Sequence, residues 1–166
     1  MEPTLNDIKL QTEALAKKKN APQELLPTNG RTQDGALPHV EIKNGQLYLV
    51  VVERGQELSR ELATDTNDLL YKIFDSVTFS MACKTAGRRM GNVDFRRQLF
   101  LKQEALLGDL SEAWKIRREQ EHGAILQLHP FYDNTNVRAD YCKKLTDGGM
   151  PAAAAWEEAC KKYPLP

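Results

Sequence analysis

Leu70, Phe74, Val77 and Met81 advance along the chain by four, three and four residues, the spacing of one helical face. Leu69, Ile73 and Ser80 widen that face. After a break at Gly87 to Gly91, a second helical pattern carries Phe95, Leu99, Leu106, Leu107 and Leu110. Two long helices with wide apolar stripes and a glycine-bounded connection predict a helical hairpin over Asn67 to Trp114, and this hairpin forms the core. No catalytic group stands out within it.

The patterning before the hairpin changes period. Thr4 or Asn6 caps a first helix near Leu5 to Lys19, with Leu5, Ile8, Leu15 and Ala16 inward and three lysines at its negative end. Pro22, Pro27, Asn29-Gly30, Gly35 and Pro38 then specify a loop or short extended pieces. His39 to Lys43 alternates polar and apolar, Asn44-Gly45 supplies a tight hairpin turn, and Gln46 to Glu53 is strongly β-forming. Leu47, Leu49 and Val51 share one face of that strand and Tyr48, Val50 and Val52 the other, so both faces require cover. A lone hairpin is marginal in water. It is expected to lie on the helices, with a third strand drawn from residues 28 to 37.

Arg54-Gly55 ends the strand. Glu53, Glu57, Glu61 and Asp65 then recur every four residues, and Asp68 follows three later. A helical segment would place them in one acidic stripe, with Leu58, Leu62 and Leu69 inward. Such a stripe is either a solvated face or a docking surface for a basic partner. Thr66 or Asn67 caps the first core helix. Further on, Ser111 caps a polar helix with Trp114, Ile125, Leu126 and Leu128 inward, ended by His129-Pro130. Asn134 or Thr135 starts another helix, carrying Val137, Tyr141, Cys142 and Leu145, and Gly148-Gly149 closes it. Pro151 opens the last, with Trp156, Ala159 and Cys160 inward. The expected architecture is a mostly helical α+β single domain over 1–166: a helix and loop to residue 37, a small antiparallel β-hairpin or sheet over 38–53, and a helical core over 54–166.

Composition narrows the function classes. The 166 residues suffice for one domain, and 23 basic side chains balance 23 acidic ones, so no global charge draws the chain to nucleic acid or an anionic membrane. No apolar run approaches a membrane span, and the first residues lack the basic start and apolar core of a secretion signal. Three widely spaced cysteines, Cys83, Cys142 and Cys160, suit reduced thiols in the cytoplasm, with Cys83 read as a small buried side chain of the core helix. Lys84, Arg88, Arg89, Arg96 and Arg97, against Asp94 alone, give the tip of the hairpin a positive potential. Aromatic residues that would stack nucleobases do not alternate with them.

A search for chemistry finds little. His39, His122 and His129 lack the spacing of helical zinc ligands, and His122 and His129 are expected to be surface or helix-end side chains. No nucleophile elbow and no glycine-rich phosphate loop occurs. No cofactor is expected. Arg117 and His122, with four residues between them, resemble the Arg-x4-His signature of HEPN-type helical ribonucleases, where the pair would handle phosphate and proton. Arg118 stands where that family usually has a smaller polar residue.

The words VVVERGQEL, NDLLYKIFDSVTFSMAC, VDFRRQLFLKQEALLGDLSEAW, HPFYD and AWEEACKKYPLP together resemble the immunity protein 63 family. The resemblance runs over roughly residues 40 to 166 and consists of apolar and helix-boundary words. It implies a non-enzymatic cytoplasmic protein; the balanced charge argues for neither nucleic acid nor membrane as partner, and the uncovered edge of the hairpin leaves monomer and homodimer both open. Such a protein binds and neutralises the C-terminal domain of a polymorphic or contact-dependent toxin, many of which are nucleases. The candidate toxin-binding residues are then Glu53, Glu57, Glu61, Asp65 and Asp68, imitating nucleic acid in a basic groove, with Arg88 and Arg89 as the competing surface.

Overall fold

The computed structural model describes residues 3–86 and 93–165. Among them the chain runs α1 (Leu5–Lys19), β1 (Thr28–Asn29), β2 (Pro38–Lys43), β3 (Gln46–Glu53), β4 (Gln56–Ala63), α2 (Thr66–Ala86), α3 (Phe95–Gly108), α4 (Glu112–Leu128), α5 (Asn134–Asp147) and α6 (Ala152–Lys162), with one 3₁₀ turn at Gln23–Leu25. The fold is α+β and mostly helical, as the patterning predicts.

Local chemistry accounts for the first helix. Thr4 Oγ1 accepts from the Asp7 amide, and the Asp7 carboxylate accepts from the Thr4 amide, which satisfies two of the donors a helix start leaves unpaired. Asn20 closes α1 in the left-handed region at φ 49°. Ile8, Thr12 and Ala16 form its buried face.

The four strands form one mixed sheet in sequential order, β1 parallel to β2 and the other pairs antiparallel. Here the structure departs from expectation. The third strand expected from residues 28 to 37 is only Thr28–Asn29, and the segment read as an acidic helical stripe is β4. Arg54 (φ 52°) and Gly55 (φ 73°) repeat the positive φ pair of Asn44 (53°) and Gly45 (73°), so the chain makes a second tight hairpin and returns as a strand. A bulge between Val51 and Val52 breaks the β3–β4 register.

One face of the sheet carries Val40, Leu47, Leu49 and Ala63, which pack with Leu69, Leu70, Ile73, Phe74 and Val77 of α2, Ile8 and Ala16 of α1, and Trp114 of α4. This is the main core. Burying five large aliphatic or aromatic side chains of α2 contributes on the order of 10 kcal/mol before chain entropy is subtracted. A second cluster joins Ala82 and Ala86 of α2 to Leu99 and Phe100 of α3, so α2 and α3 pack antiparallel as the predicted hairpin. Their connection at Gly87 to Gly91 lies outside the described residues. The cap of α2 is Asp65 rather than Thr66 or Asn67: its Oδ1 accepts from the Asp68 amide, while Asp68 accepts from Thr64 N.

Several side chains expected inside are exposed: Phe95, Ile125, Leu128 and Trp156. Cys83 is exposed as well. The buried residues are instead Leu99, Phe100, Gln103 and Leu107 on α3, Trp114 and His122 on α4, and Ala155 and Ala159 on α6. The helices α5 and α6 pack mainly on each other. They are tied down by Arg138, whose guanidinium donates to Tyr132 Oη and to the carbonyls of Tyr163 and Pro164.

Candidate functional site

The densest polar grouping lies where α4 crosses α2 and α3. Tyr71 donates its hydroxyl to Glu121 at 2.6 Å. Arg117 lies 3.8 Å over the Tyr71 ring and pairs with Asp68 at 2.6 Å and Glu121 at 3.1 Å. Arg118 reaches Glu121 at 2.9 Å and Asp75 at 3.2 Å. Gln103, fully buried on α3, donates through Nε2 to the backbone oxygen and Oδ1 of Asp75. His122 is buried too, its ring stacked on Phe100 at 3.7 Å between centroids. Its Nδ1 donates to Glu104 at 2.6 Å, and its Nε2 accepts from Arg118 Nε at 3.0 Å. These two partners fix the neutral Nδ1–H tautomer.

Protonation equilibria follow from this packing. Burial lowers the His122 pKa below its ordinary value, with Glu104 opposing and the Arg118 charge assisting. Burial pushes the Asp75 carboxyl up; Arg118 offsets part of that, while Glu121 and Glu61 add to it. Burial also pushes up the Tyr71 phenol, and its bond to Glu121 pushes it further. For Glu121 burial acts upward, but bonds from Tyr71, Arg118 and Arg117 outweigh it and hold the carboxyl below the usual range.

Beside this network the sheet and the helices part to leave a cleft of about 330 Å³. Its apolar wall is Pro38, Leu49 and Val51, and its polar wall includes Glu61, Lys72, Asp75 and Glu121. The opening exists because α2 presents the small Ser76 there, over a sheet wall built in part from Ala36 and Pro38.

The opposite face of the sheet carries a second network. Arg60 forms a bidentate pair with Glu57 and a third bond, at 2.7 Å, to Glu41, with its guanidinium carbon 5.3 Å from the centre of the Tyr48 ring. Glu41 also accepts from the buried His39 at 2.8 Å. Bonds from Arg60 and His39 hold the Glu41 carboxyl below its usual range.

The expected acidic stripe is therefore dispersed. Glu57 pairs with Arg60 on the outer face, whereas Glu61, opposite Leu49 in register, pairs with Lys72 on the helix-facing side. Glu53 ends β3, Asp65 caps α2, and Asp68 holds Arg117. Arg88 and Arg89 lie outside the described residues. At the base of that connection Arg97 pairs with Asp133, and Arg96 with Asp94 and the carbonyls of His129 and Pro130, so both arginines fasten α3 to the turn after α4. Arg117 and His122 belong to one network but present no common catalytic face: the arginine pairs with Asp68, while the histidine is buried against Phe100 with both ring nitrogens occupied. That geometry does not support the ribonuclease pattern. His129, in contrast, sits at the end of α4 as expected. Among the described residues no group of three His, Cys, Asp or Glu is placed to hold a metal ion, and no helix is long and apolar enough to cross a membrane.

A helical layer held by partly buried ion pairs against a small mixed sheet, with partner-accessible charge at the sheet's edge and in the cleft, suits a binding protein. Residues 43–124, about half the chain, match the family model of immunity protein 63, and through them the chain belongs to that family. The matched segment runs from the end of β2 through most of α4 and so contains β4, the interior network and the cleft lining apart from Ala36 and Pro38. It stops short of the HPFYD and AWEEACKKYPLP words. Neither the curated proteins nor the solved structures provide a match.

Proposed function

We propose that this protein protects its cell by binding a toxin domain delivered through contact-dependent inhibition, and that it does so in the cytoplasm as a stoichiometric inhibitor without catalysis of its own. The observation that carries this reading is the immunity protein 63 match across β3 to α4, since an immunity protein acts against a toxin. A nuclease toxin fits the carboxylates placed around β4. Glu57 and Glu61 are about half exposed and flank the free edge strand β4 from its two faces, with Glu53 at its hairpin and Asp65 and Asp68 at its far end. Carboxylates so spread around one edge can replace phosphates along a basic groove, and complementary charge raises both association rate and specificity. Arg88 and Arg89 are the alternative surface, suited to an acidic toxin. The same β4 edge is where a second copy would pair in a homodimer.

Co-expression with the toxin domain encoded beside it tests the reading. Survival of the cells together with a co-purifying complex supports it, and death despite soluble expression rejects it. Within such a complex, reversing Glu53, Glu57 and Glu61 to lysine should weaken binding by more than about tenfold. Unchanged affinity in the folded triple variant removes β4 from the interface.

A further inference from the structure

We propose that the cleft between the sheet and α2 is a socket for a basic side chain, a lysine or arginine presented by the partner protein. This rests on the toxin-binding reading and says where the toxin's anchor residue seats. The cleft, at about 330 Å³, has room for one long side chain. Pro38, Leu49 and Val51 offer an apolar wall for an aliphatic stem. Glu61 stands beside Leu49 on the sheet and Asp75 faces the cleft from α2, and a cationic head would lie between them, next to Lys72 and Arg117.

Charge decides the class of occupant. The side chains in and beside the cleft comprise four carboxylates, Glu61, Asp68, Asp75 and Glu121, against three cations, Lys72, Arg117 and Arg118. Every one of those cations is already committed: Lys72 to Glu61, Arg117 to Asp68 and Glu121, Arg118 to Asp75 and Glu121. Asp75, with 28% of its side chain exposed, keeps one oxygen open to the cleft's solvent or to a ligand. Its bonds from Gln103 and Arg118 both fall on Oδ1, and among the described residues none falls on Oδ2. Burial raises the Asp75 carboxyl first, and Glu121 and Glu61 add their repulsion to it against Arg118 and Arg117. An entering cation relieves that repulsion, whereas an entering anion meets Glu61 and Asp75 together. A desolvated, charge-paired anchor in a pocket is the kind of contact that dominates protein interfaces.

The test needs no toxin. N-acetyl-arginine amide, N-acetyl-lysine amide and the neutral isostere N-acetyl-citrulline amide are titrated into the ¹⁵N-labelled full chain. Saturable amide shifts confined to the neighbourhood of Ala36, Val51, Glu61 and Ser76 are expected for at least one of the cationic amides, with binding about tenfold weaker for citrulline. Asp75→Asn, which keeps the shape and the Oδ1 acceptor, should weaken the cationic amide by a similar factor. Ser76→Tyr, an exposed rim position away from the ion pairs, should block it by filling the opening. Scattered shifts, equal binding of citrulline, or unchanged binding in a folded Ser76→Tyr variant would overturn the socket. If the socket fails while the protection assay succeeds, the immunity reading stands without it. If the amide binds but protection fails, the cleft is real and the toxin reading is the part that is wrong.

Discussion

The two polar networks use the same residue types on opposite sides of one molecule. In the helical layer Arg117 and Arg118 meet Asp68, Asp75 and Glu121 beside the buried Gln103 and His122. On the outer face of the sheet Arg60 meets Glu41 and Glu57 beside the buried His39. The distances are similar, near 2.6 to 3.2 Å in both. What differs is the solvent. In the helical layer Arg118 and Asp68 keep only 15% and 14% of their exposure beside the more open Arg117 and Glu121, whereas on the outer face Arg60 and Glu41 keep about 30% and Glu57 43%. Exposed pairs gain little because water serves the separated ions nearly as well, whereas a partly buried network cannot lose one member without stranding the others. The interior network should therefore govern stability, leaving the outer one free to serve recognition.

The largest effect separating the two is expected from His122→Ala. It removes the ring stacked on Phe100 and leaves Glu104 and Arg118 each short of a partner. Urea unfolding should show a loss of about 3 kcal/mol. The pH profile should change with it. The folded His122 pKa lies below the ordinary 6.5, so below that pH the unfolded chain takes up the proton more readily. This group's contribution is fully present above 6.5 and is lost as pH falls toward its folded pKa. Wild type should lose stability over that interval, and His122→Ala should lack that part of the slope. An intermediate effect is expected from Tyr71→Phe, which deletes one bond to the Glu121 carboxylate and leaves the ring under Arg117. That loss should be about 1.5 kcal/mol. Equal losses from an outer-face variant would erase the distinction between the networks.

Legibility in the sequence followed how local each cause was. The first helix could be bounded at Leu5 and Lys19 because its cap and its termination lie within its own residues. The α2–α3 hairpin was visible because its apolar stripes repeat with helical period over many turns. The strand β4 was not. Glu57 and Glu61, four apart, fit a helix as well as a strand, and QELSRELA alternates weakly because most of its side chains are exposed. The missed signal was Arg54-Gly55. An arginine at positive φ is uncommon and does not announce a tight turn as Asn44 does, although the two turns share the same geometry. His122 was unreadable for a different reason. What buries it is Phe100 and Glu104 from another helix, and no spacing within α4 encodes them. The cleft is likewise a product of three elements, visible only once β4 is a strand and Glu61 faces α2.

The smallest effect sharpens the comparison most. Arg60→Met keeps the length and much of the stem over Tyr48 while deleting every bond to Glu41 and Glu57. Both carboxylates lie at the surface and regain water when the guanidinium goes, so the urea midpoint at neutral pH should stay within error of wild type. A shifted Glu41 titration is the sign that the network was nevertheless present. Its carboxyl is now held down first by Arg60 and then by His39, so the variant's Glu41 should titrate at higher pH, read by side-chain carboxyl NMR. An unmoved Glu41 would mean that the outer pairs do not persist in solution. A large fall in stability would mean that the outer face, like the helical layer, is part of what holds the fold, and that its charges are not spare for a partner.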